Sequence, residues 1–471
     1  MNAHQTDFST GSVYRNIIEV AVPMILAQLL NLLYNVVDRV YIGRIPEVGT
    51  LALTGVGLCF PIISLVTAFT YLFGNGGAPL CAIERGKGNK EEAEKLMGNA
   101  FTMLLLTGTA LTVAGLLFYR PVLYLFGASD DTFLYAGNYI RIYLLGTIFV
   151  MISVGMNPFI NSQGFGNTGM FSVLIGAVLN IILDPVFIFG FGMGVEGAAV
   201  ATILSQFFSA VWVLAFLTGK KAVIRLRWNC MKLQVAKVLK IMSLGVSGFI
   251  MAFTNSLVQV VCNATLQTYG GDIYVGVMTV LNSVRDICTM PVMGFANGAS
   301  PVMSFNYGER SYEKVRKAIQ FLTVLCVTYT FVIWGILKII PEFFIRIFNH
   351  SPELIEKGVP ALHIYFFGFC FMALQFTGQS VFVALGKSGY ATFFSLLRKA
   401  VIVVPLTIIL PKIAGLGVDG VFWAEPISNL IGGCACFTTM ICTVIPELKG
   451  KTKGKAEEKA KGKTKEKKSR I

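Results

Sequence analysis

Two carboxylates, an amide and a hydroxyl lie inside otherwise apolar stretches of this chain, at Asp38, Asn180, Asp184 and Thr202. Asn180 and Asp184 are four residues apart, so on a helix they share one face. Hard cations prefer oxygen ligands of these types, and two neighbouring carboxylates cannot both stay charged cheaply without a cation. These residues therefore predict a site that holds a proton or Na⁺.

The three segments that carry these residues bring them to similar depths if each crosses a bilayer as a helix. At a rise of about 1.5 Å per residue, Asp38 lies about 6 Å from the outer end of its helix, Asp184 about 9 Å and Thr202 about 12 Å. Pro185 directly follows Asp184. Because proline cannot donate to the carbonyl of Ile181, it frees an oxygen and bends the helix. We expect one cluster in the outer half of the membrane, beside a hinge.

Structural roles are also open for two of these side chains. Asp38 could pair with Arg39 or Arg44, although Asp38 and Arg39 point about 100° apart on a helix because they are adjacent. The hydroxyl of Thr202 could bond to its own helix backbone. Asp184 has no basic residue within a turn or two of it along the sequence, and ionisable groups inside a membrane are functional by default.

Three further polar residues are candidate contacts for a ligand. Asn31 and Tyr34 precede Asp38 on the first predicted helix, and Asn157 lies in the fourth apolar segment. Amide and hydroxyl groups inside a membrane protein can also form hydrogen bonds between helices. The sequence leaves both roles open.

The second half of the chain carries charges of both signs within its apolar segments, Arg398 and Lys399 in the eleventh and Glu425 in the twelfth. Removing one partner of a buried ion pair leaves an uncompensated charge, which is costly inside a membrane. We therefore predict an internal ion pair between Glu425 and either Arg398 or Lys399.

The elements that must position these residues are membrane-spanning helices. Hydrophobic residues make up 55% of the 471 and charged residues 14%, against about 45–50% and about 25% in a soluble domain. Apolar segments long enough to span a bilayer recur along the whole chain. The sequence predicts an all-α integral membrane protein with twelve such segments, at roughly 15–42, 51–77, 95–119, 133–160, 169–190, 195–218, 237–267, 273–303, 317–341, 358–384, 389–411 and 418–445.

Short motifs recur along the chain at a nearly constant spacing. NGGAPL (Asn75–Leu80) is echoed by NGASPV (Asn297–Val302), and GVEGAAVA from Gly194 by GVDGVFWA from Gly417, at offsets of 222 and 223 residues. Such duplication is typical of transporters. We predict two pseudo-symmetric six-helix bundles with a cleft that opens to either side. The predicted division is 1–14 (N-terminal segment), 15–218 (amino lobe), 219–236 (linker), 237–445 (carboxy lobe) and 446–471 (tail).

Basic residues accumulate in the segments 85–95, 219–236 and 310–316, on one predicted side of the membrane. By the positive-inside rule, this side and both termini are cytoplasmic, in the plasma (cell inner) membrane. The tail holds ten Lys and one Arg against four Glu, so it contributes +7 of the net charge of +14. Such a tail is a disordered, solvated end or a patch that binds anionic membrane lipid. Its location argues against a nucleic-acid partner.

Several longer motifs make the chain resemble the multidrug and toxic compound extrusion (MATE) family of the multidrug/oligosaccharidyl-lipid/polysaccharide exporter superfamily. They are PMILAQLLNLLYNVVDRVYIGR, FGNGGAPL with ERGKGN, LNIILDPVFIF, GVEGAAVAT and FANGASPVMSFNYGE. The resemblance covers residues from about 15 to 445. It implies two six-helix bundles that expel cationic or amphipathic compounds in exchange for Na⁺ or H⁺.

The resemblance also implies roles for individual residues. It places Asp38, Asn180, Asp184 and Thr202 in a cation site of the amino lobe, and Asn31, Tyr34 and Asn157 near the substrate. One branch of the family uses carboxylates in the seventh and tenth helices as well, where this chain has Asn255, Gln375 and Gln379. We therefore expect coupling to depend on the amino lobe alone.

The expected function is antiport of a drug-like amphipathic compound against Na⁺ or H⁺ by alternating access, with the coupling ion left open. No other cofactor is expected, and the protein is expected to be a monomer in contact with membrane lipid. A flippase for lipid-linked oligosaccharides is the main alternative. An enzyme is disfavoured because the histidines, His4, His350 and His363, show no metal or triad spacing. A channel would need a selectivity ring, and the duplicated halves contain no evident one.

Overall fold

The structure is a computed structural model that describes residues 5–348, 351–413 and 415–469. Residues 1–4 of the predicted N-terminal segment and residues 470–471 of the predicted tail lie outside the described residues. All regular secondary structure in the described ranges is helical. The α-helices are α1 (Val13–Gly43), α2 (Gly49–Gly86), α3 (Lys90–Leu125), α4 (Asp130–Leu145), α5 (Thr147–Asn161), α6 (Gly166–Pro185), α7 (Gly194–Thr218), α8 (Val235–Gly308), α9 (Tyr312–Ile339), α10 (Pro341–Arg346), α11 (Pro352–Tyr365), α12 (Phe369–Ala384), α13 (Ser388–Leu396), α14 (Val404–Ile409) and α15 (Gly417–Ser469).

The described helices provide twelve membrane spans. Within the described residues, nine helical stretches are long and apolar enough to cross a bilayer. Two bent pairs, α4 with α5 and α11 with α12, add one span each, with bends of 58° and 49°. The 74 residues of α8 would reach about 110 Å if straight. The backbone of α8 instead breaks at Gly271 (φ 69°, ψ −168°). This helix is counted once among the nine but forms two spans, which brings the total to twelve.

Two of the spans contain a π-helical turn. The first, Val186–Gly190, directly follows Pro185 at the end of α6, where the amide of Phe191 donates to the carbonyl of Val186 at 2.9 Å. The second, Leu397–Val403, lies between α13 and α14. Such turns are rare and are frequently found at functional sites. Each one adjoins or contains charged residues that the sequence singles out.

The described chain divides into two compact units. The first comprises the described residues up to Thr6, together with Glu19–Cys81 and Lys90–Val260; the second comprises Asp7–Ile18, Ala82–Asn89 and the described residues from Val261 onward. The lobe boundaries drawn from the sequence, with a linker at 219–236, stay a prediction.

In the first unit, polar side chains of α3 hold the basic segment 219–236. The side chain of Asn99 accepts a hydrogen bond from the amide of Gln234 at 2.7 Å. The hydroxyl of Thr102 donates to the carbonyl of Met231 at 2.9 Å. Each bond satisfies a backbone group that no helix or sheet can satisfy in an irregular stretch. This segment is therefore an ordered extension of the first unit.

In the second unit, the segment before α1 packs against the end of α8. The ring of Phe8 is 1% exposed, and its carbonyl accepts a hydrogen bond from Asn306 Nδ2 at 3.3 Å. The guanidinium of Arg85 lies 5.0 Å from the ring centre of Phe8 and 4.6 Å from that of Phe305. A cation held between two rings is attracted by both π-faces. These contacts fix the N-terminal segment on the second unit.

Two glycines related by the repeat, Gly86 and Gly308, bring α2 and α8 into backbone contact within the second unit. A Cβ atom on Gly86 would overlap the carbonyl oxygen of Phe305, and one on Gly308 would overlap that of Ile83. Only glycine allows two helix backbones to approach this closely. The duplicated sequence thus places the same residue type on both sides of one contact.

The last helix is longer than the sequence predicts. A disordered tail is predicted from residue 446, whereas α15 continues as a helix to Ser469. At the start of this segment, Lys387 and Lys451 both form ion pairs with Glu447, and pairs at i and i+4 support helix. The disorder of this tail in solution stays a prediction.

Candidate functional site

The candidate site in the first unit is built from three helices. α1 carries Asp38, α6 carries Asn180 and Asp184, and α7 carries Thr202. Asp184 stands one residue before Pro185, at the point where α6 passes into its π-helical turn. The spacing of Asn180 and Asp184 places both on one face of α6, as the sequence predicts.

The side chain of Asn180 forms hydrogen bonds with Asp184 on α6 and with Thr202 on α7. Its Nδ2 atom donates to Asp184 Oδ1 at 3.2 Å and to Thr202 Oγ1 at 3.4 Å. The carboxyl groups of Asp38 and Asp184 lie within hydrogen-bonding reach of each other. The structure therefore brings together all four residues that the sequence assigns to a cation site.

Three oxygen atoms of this cluster are buried without a hydrogen-bond partner among the described residues: Asp38 Oδ1, Asn180 Oδ1 and Asp184 Oδ2. Asp184 itself is 0% exposed. A buried acceptor that lacks a partner costs about 1–3 kcal/mol, and a charged one costs more. A cation or a proton would satisfy these oxygens, and Na⁺ accepts a mixed set of carboxylate, amide and hydroxyl ligands.

The guanidinium of Arg39 contacts an aromatic ring and does not form an ion pair with Asp38. The guanidinium of Arg39 lies 4.7 Å from the ring centre of Phe60. Within the described residues, Asp38 forms no ion pair shorter than 4.0 Å. The geometry thus favours the cation-binding role of Asp38 over the simple surface pair that the sequence allows.

The three candidate substrate residues occupy different surroundings. Tyr34 lies within electrostatic range of both Asp38 and Asp184. One turn earlier on α1, the carbonyl of Asn31 accepts a hydrogen bond from Asn35 Nδ2 at 2.6 Å. Both residues lie on the helix that carries Asp38, so a ligand beside them would be near the cation cluster. Their role in substrate binding stays a prediction.

Asn157 on α5 bridges helices. Its Nδ2 atom donates to the carbonyl of Gly169 at 2.8 Å and to Ser172 Oγ at 2.6 Å, both on α6. Its Oδ1 atom accepts from Asn161 Nδ2 at 2.8 Å. Because these protein groups already use its donors, the bridging role has direct support, and contact with a substrate stays a prediction.

Sequence reasoning missed two tyrosines beside the cluster, Tyr139 and Tyr143 on α4. Their rings stack with centres 6.2 Å apart, and both residues are buried. Tyr139 lies within electrostatic range of Asp38, and Tyr143 lies within electrostatic range of Tyr34. Their spacing of four residues, which places both on one face of α4, is the signal that could have identified them.

The second unit contains a buried charge cluster around Glu425. Lys399 Nζ lies 3.0 Å and Arg398 Nη1 lies 3.5 Å from Glu425 Oε1. Arg398 also donates to Asn429, and the Glu425 side chain is 7% exposed. Both basic residues therefore contact Glu425, whereas the sequence predicts a pair with one or the other. What the cluster contributes to folding or transport stays a prediction.

Solved structures of similar fold exist for almost the whole chain. A MATE crystal structure in complex with MaL6 matches with a TM-score of 0.88 and 22% identity, covering 96% of this chain and 100% of that one. An outward-facing multidrug resistance MATE family transporter of the MOP superfamily also matches with a TM-score of 0.88 and 22% identity, covering 96% and 99%. These matches confirm the predicted all-helical, twelve-span fold.

Curated relatives and a family model agree with the fold. The multidrug export protein MepA of Staphylococcus haemolyticus is 23% identical over 436 residues, which cover 92% of this chain and 94% of MepA. MepA of Staphylococcus aureus strain MSSA476 is 22% identical over 439 residues. The family model MatE matches residues 23–186 and 248–409, one stretch in each half of the duplicated sequence. The chain therefore belongs to the MatE family of membrane transporters and is not an enzyme.

Proposed function

We propose that this protein is an antiporter that exports drug-like, cationic or amphipathic compounds and is driven by inward movement of Na⁺ or H⁺. Both termini face the cytoplasm of the cell in this proposal, because the basic segments 85–95 and 219–236 lie on that side. The relatives that share most of its length are named multidrug export proteins. That name supports the class of substrate.

The observation that carries the proposal is the set of unsatisfied buried oxygens on Asp38, Asn180 and Asp184. Two carboxyl groups in contact inside a membrane protein repel each other when both are charged. A proton on one of them, or Na⁺ between them, removes this repulsion. The cluster therefore binds a cation. The free energy of this binding can drive a conformational change in the helices that carry the cluster.

Coupling requires that the cation and the substrate favour different conformations. Linkage then dictates that each ligand weakens binding of the other by the same factor. Asp184 adjoins Pro185 and a π-helical turn, and α1 contains Pro23 fifteen residues before Asp38. Both helices can bend at these prolines. A cation at the cluster would thus favour a bent conformation that releases the substrate outside.

The test is efflux of rhodamine 123, a fluorescent organic cation, from proteoliposomes with an imposed Na⁺ or H⁺ gradient. We expect one gradient to drive efflux by the native protein, and Asp38→Asn and Asp184→Asn each to reduce the rate to the level of empty liposomes. Asp131→Asn is the matched control, because Asp131 is an exposed carboxylate on α4 of the same unit. This control should transport like the native chain.

Two results would count against the proposal. Efflux that persists in both Asp38→Asn and Asp184→Asn would remove the cluster from the coupling mechanism. A folded native protein that transports under neither gradient would remove organic cations as substrates, and lipid-linked oligosaccharides would then be the next substrates to assay in the same liposomes.

A further inference from the structure

The second unit holds more buried positive charge than its glutamate neutralises. Both carboxylate oxygens of Glu425 accept hydrogen bonds from Lys399 Nζ, at 3.0 and 3.3 Å, and one of them also pairs with Arg398 at 3.5 Å. A third cation, Arg285 on α8, is close enough to interact with the charges of all three. Two cations thus contact one buried carboxylate, and a third lies within electrostatic range of it.

Arg285 is left with a weak counter-ion. Its Nη2 atom contacts Asp286 Oδ1 at 3.2 Å, but the Asp286 side chain is 60% exposed. A pair with one exposed partner compensates a charge less completely than the buried contacts of Glu425 do. Glu425 already has its oxygens occupied by Lys399 and Arg398, so the charge of Arg285 is only partly compensated.

Hydrogen bonds fix the guanidinium of Arg285 in one place. Its Nη1 atom donates to the hydroxyl oxygen of Tyr365 at 2.8 Å, and that hydroxyl donates to Asn282 Oδ1 at 3.1 Å. A guanidinium has five N–H donors, and these contacts use two. The Arg285 side chain is 25% exposed, and three of its N–H donors are not used by these contacts.

We propose that Arg285, positioned by Tyr365, is the anion-binding group of a ligand subsite in the second unit, and that it takes the carboxylate of an amphipathic substrate. The planar fork of a guanidinium matches a carboxylate in two parallel hydrogen bonds. This inference rests on the proposed export function and adds to it the residue of the second unit that would bind the anionic group of a substrate.

The test compares two dyes that differ only in the carboxylate. Rhodamine 110 has a free carboxyl group, and rhodamine 123 is its methyl ester. Binding of each dye to purified protein in lipid nanodiscs is measured by fluorescence polarisation, without any ion gradient. We expect Arg285→Gln to weaken rhodamine 110 roughly tenfold or more, the size of a lost charged hydrogen-bond pair, and to change rhodamine 123 by less than about twofold.

Three further variants separate a binding role from a structural one. Arg285→Lys keeps the charge and should retain part of the preference for rhodamine 110. Tyr365→Phe removes the hydroxyl that holds Arg285 and should give an intermediate loss for rhodamine 110 alone. Arg346→Gln is the matched control, because Arg346 is 59% exposed and pairs with the equally exposed Glu342. This control should leave both affinities unchanged.

A measurement on the native protein covers the case in which Arg285→Gln does not fold. Sodium benzoate that replaces an equal concentration of sodium chloride, so that Na⁺, pH and ionic strength stay constant, should displace rhodamine 110 and leave rhodamine 123 bound. Equal responses of the two dyes to Arg285→Gln, or no selective competition by benzoate, would overturn the proposal. Because the assay measures equilibrium binding, failure of the subsite would leave gradient-driven efflux of rhodamine 123 untouched, and failure of efflux would leave the binding comparison valid.

Discussion

Asp184 is fully buried, and one of its carboxylate oxygens has no hydrogen-bond partner among the described residues. Glu425 is almost as deeply buried, yet both of its oxygens accept hydrogen bonds from a basic side chain. The first arrangement suits a group that gains and loses a cation during a cycle. The second suits a charge that stays neutralised, because breaking such a pair is strongly unfavourable.

The pairing of Glu425 can be tested at the level of single residues. Glu425→Gln leaves Lys399 and Arg398 as uncompensated buried cations, so we expect it to lower the free energy of unfolding by about 3–5 kcal/mol. Adding Lys399→Gln or Arg398→Gln should recover part of that loss. The measurement is thermal unfolding of the purified protein.

Glu342→Gln is the control for this series, since Glu342 forms an exposed pair with Arg346. It should change the unfolding temperature little, because exposed pairs contribute about 0–1 kcal/mol. If neither Lys399→Gln nor Arg398→Gln makes the Glu425→Gln variant more stable, the charges do not stabilise each other.

The N-terminal segment provides a pH-dependent prediction. The amide and hydroxyl of Ser9 donate to Asp7 Oδ1 at 2.9 and 2.7 Å, and these bonds lower the pKa of Asp7 below its ordinary value of 3.8. A carboxyl with a lowered folded pKa stabilises the fold above its unfolded pKa, and the contribution is lost as the pH falls through the folded pKa. Asp7→Asn should therefore loosen residues 7–12 at neutral pH.

Hydrogen exchange of this segment, compared between Asp7→Asn and the native chain at each pH, measures that effect. The difference should be present at about pH 7 and should shrink below about pH 4, where the native carboxyl becomes protonated. A difference that is constant with pH would mean that shape rather than charge holds the segment.

At the scale of helices, close backbone contact and local π-helical turns position the charged groups. α2 and α8 meet where Gly86 and Gly308 leave no room for a Cβ atom. The π-helical turn Leu397–Val403 presents Arg398 and Lys399, which both reach Glu425 on α15. The turn after Pro185 adjoins Asp184. These local departures from regular helix occur beside the charged clusters.

The glycine contact predicts unequal effects of the same substitution. Gly86→Ala and Gly308→Ala would force α2 and α8 apart, and we expect each to reduce stability by about 1–3 kcal/mol, as overpacking does. Gly335→Ala, on α9, is the control, because a Cβ atom there meets open space. It should be neutral or stabilising by about 0.5–1 kcal/mol, since alanine favours helix. Thermal unfolding that ranks Gly335→Ala with the other two would contradict this explanation.

Apolar segments and their repeat predict the helices and the number of spans, because spanning a bilayer needs about 20 apolar residues in helical conformation. Asp38, Asn180 and Asp184 are predictable because charge and amide groups are rare in such segments. The sequence does not predict that Tyr139 lies near Asp38, or that Arg398 and Lys399 both contact Glu425. These positions depend on helix packing and on a π-helical turn, neither of which changes the hydrophobic pattern of the sequence.

At the scale of the whole molecule, the chain is a MatE family transporter whose two units bury different kinds of polar and charged groups. The first holds buried oxygens of Asp38, Asn180 and Asp184 that have no hydrogen-bond partner among the described residues, and the second holds two basic side chains against Glu425. A transporter of this kind couples two ligands only if binding of one changes the affinity for the other. The proposed antiport therefore requires linkage between the Asp38–Asp184 cluster and the substrate.

The measurement that tests this linkage most directly is the affinity of rhodamine 123 for the purified protein in nanodiscs, as Na⁺ is added or the pH is lowered. We predict that one of these cations weakens binding of the dye to the native protein by roughly five- to 150-fold, the usual range of coupling. Asp184→Asn should abolish the effect, and Asp131→Asn should preserve it. An affinity that neither cation changes, or a cation effect that survives Asp184→Asn, would show that this cluster does not link cation binding to substrate binding.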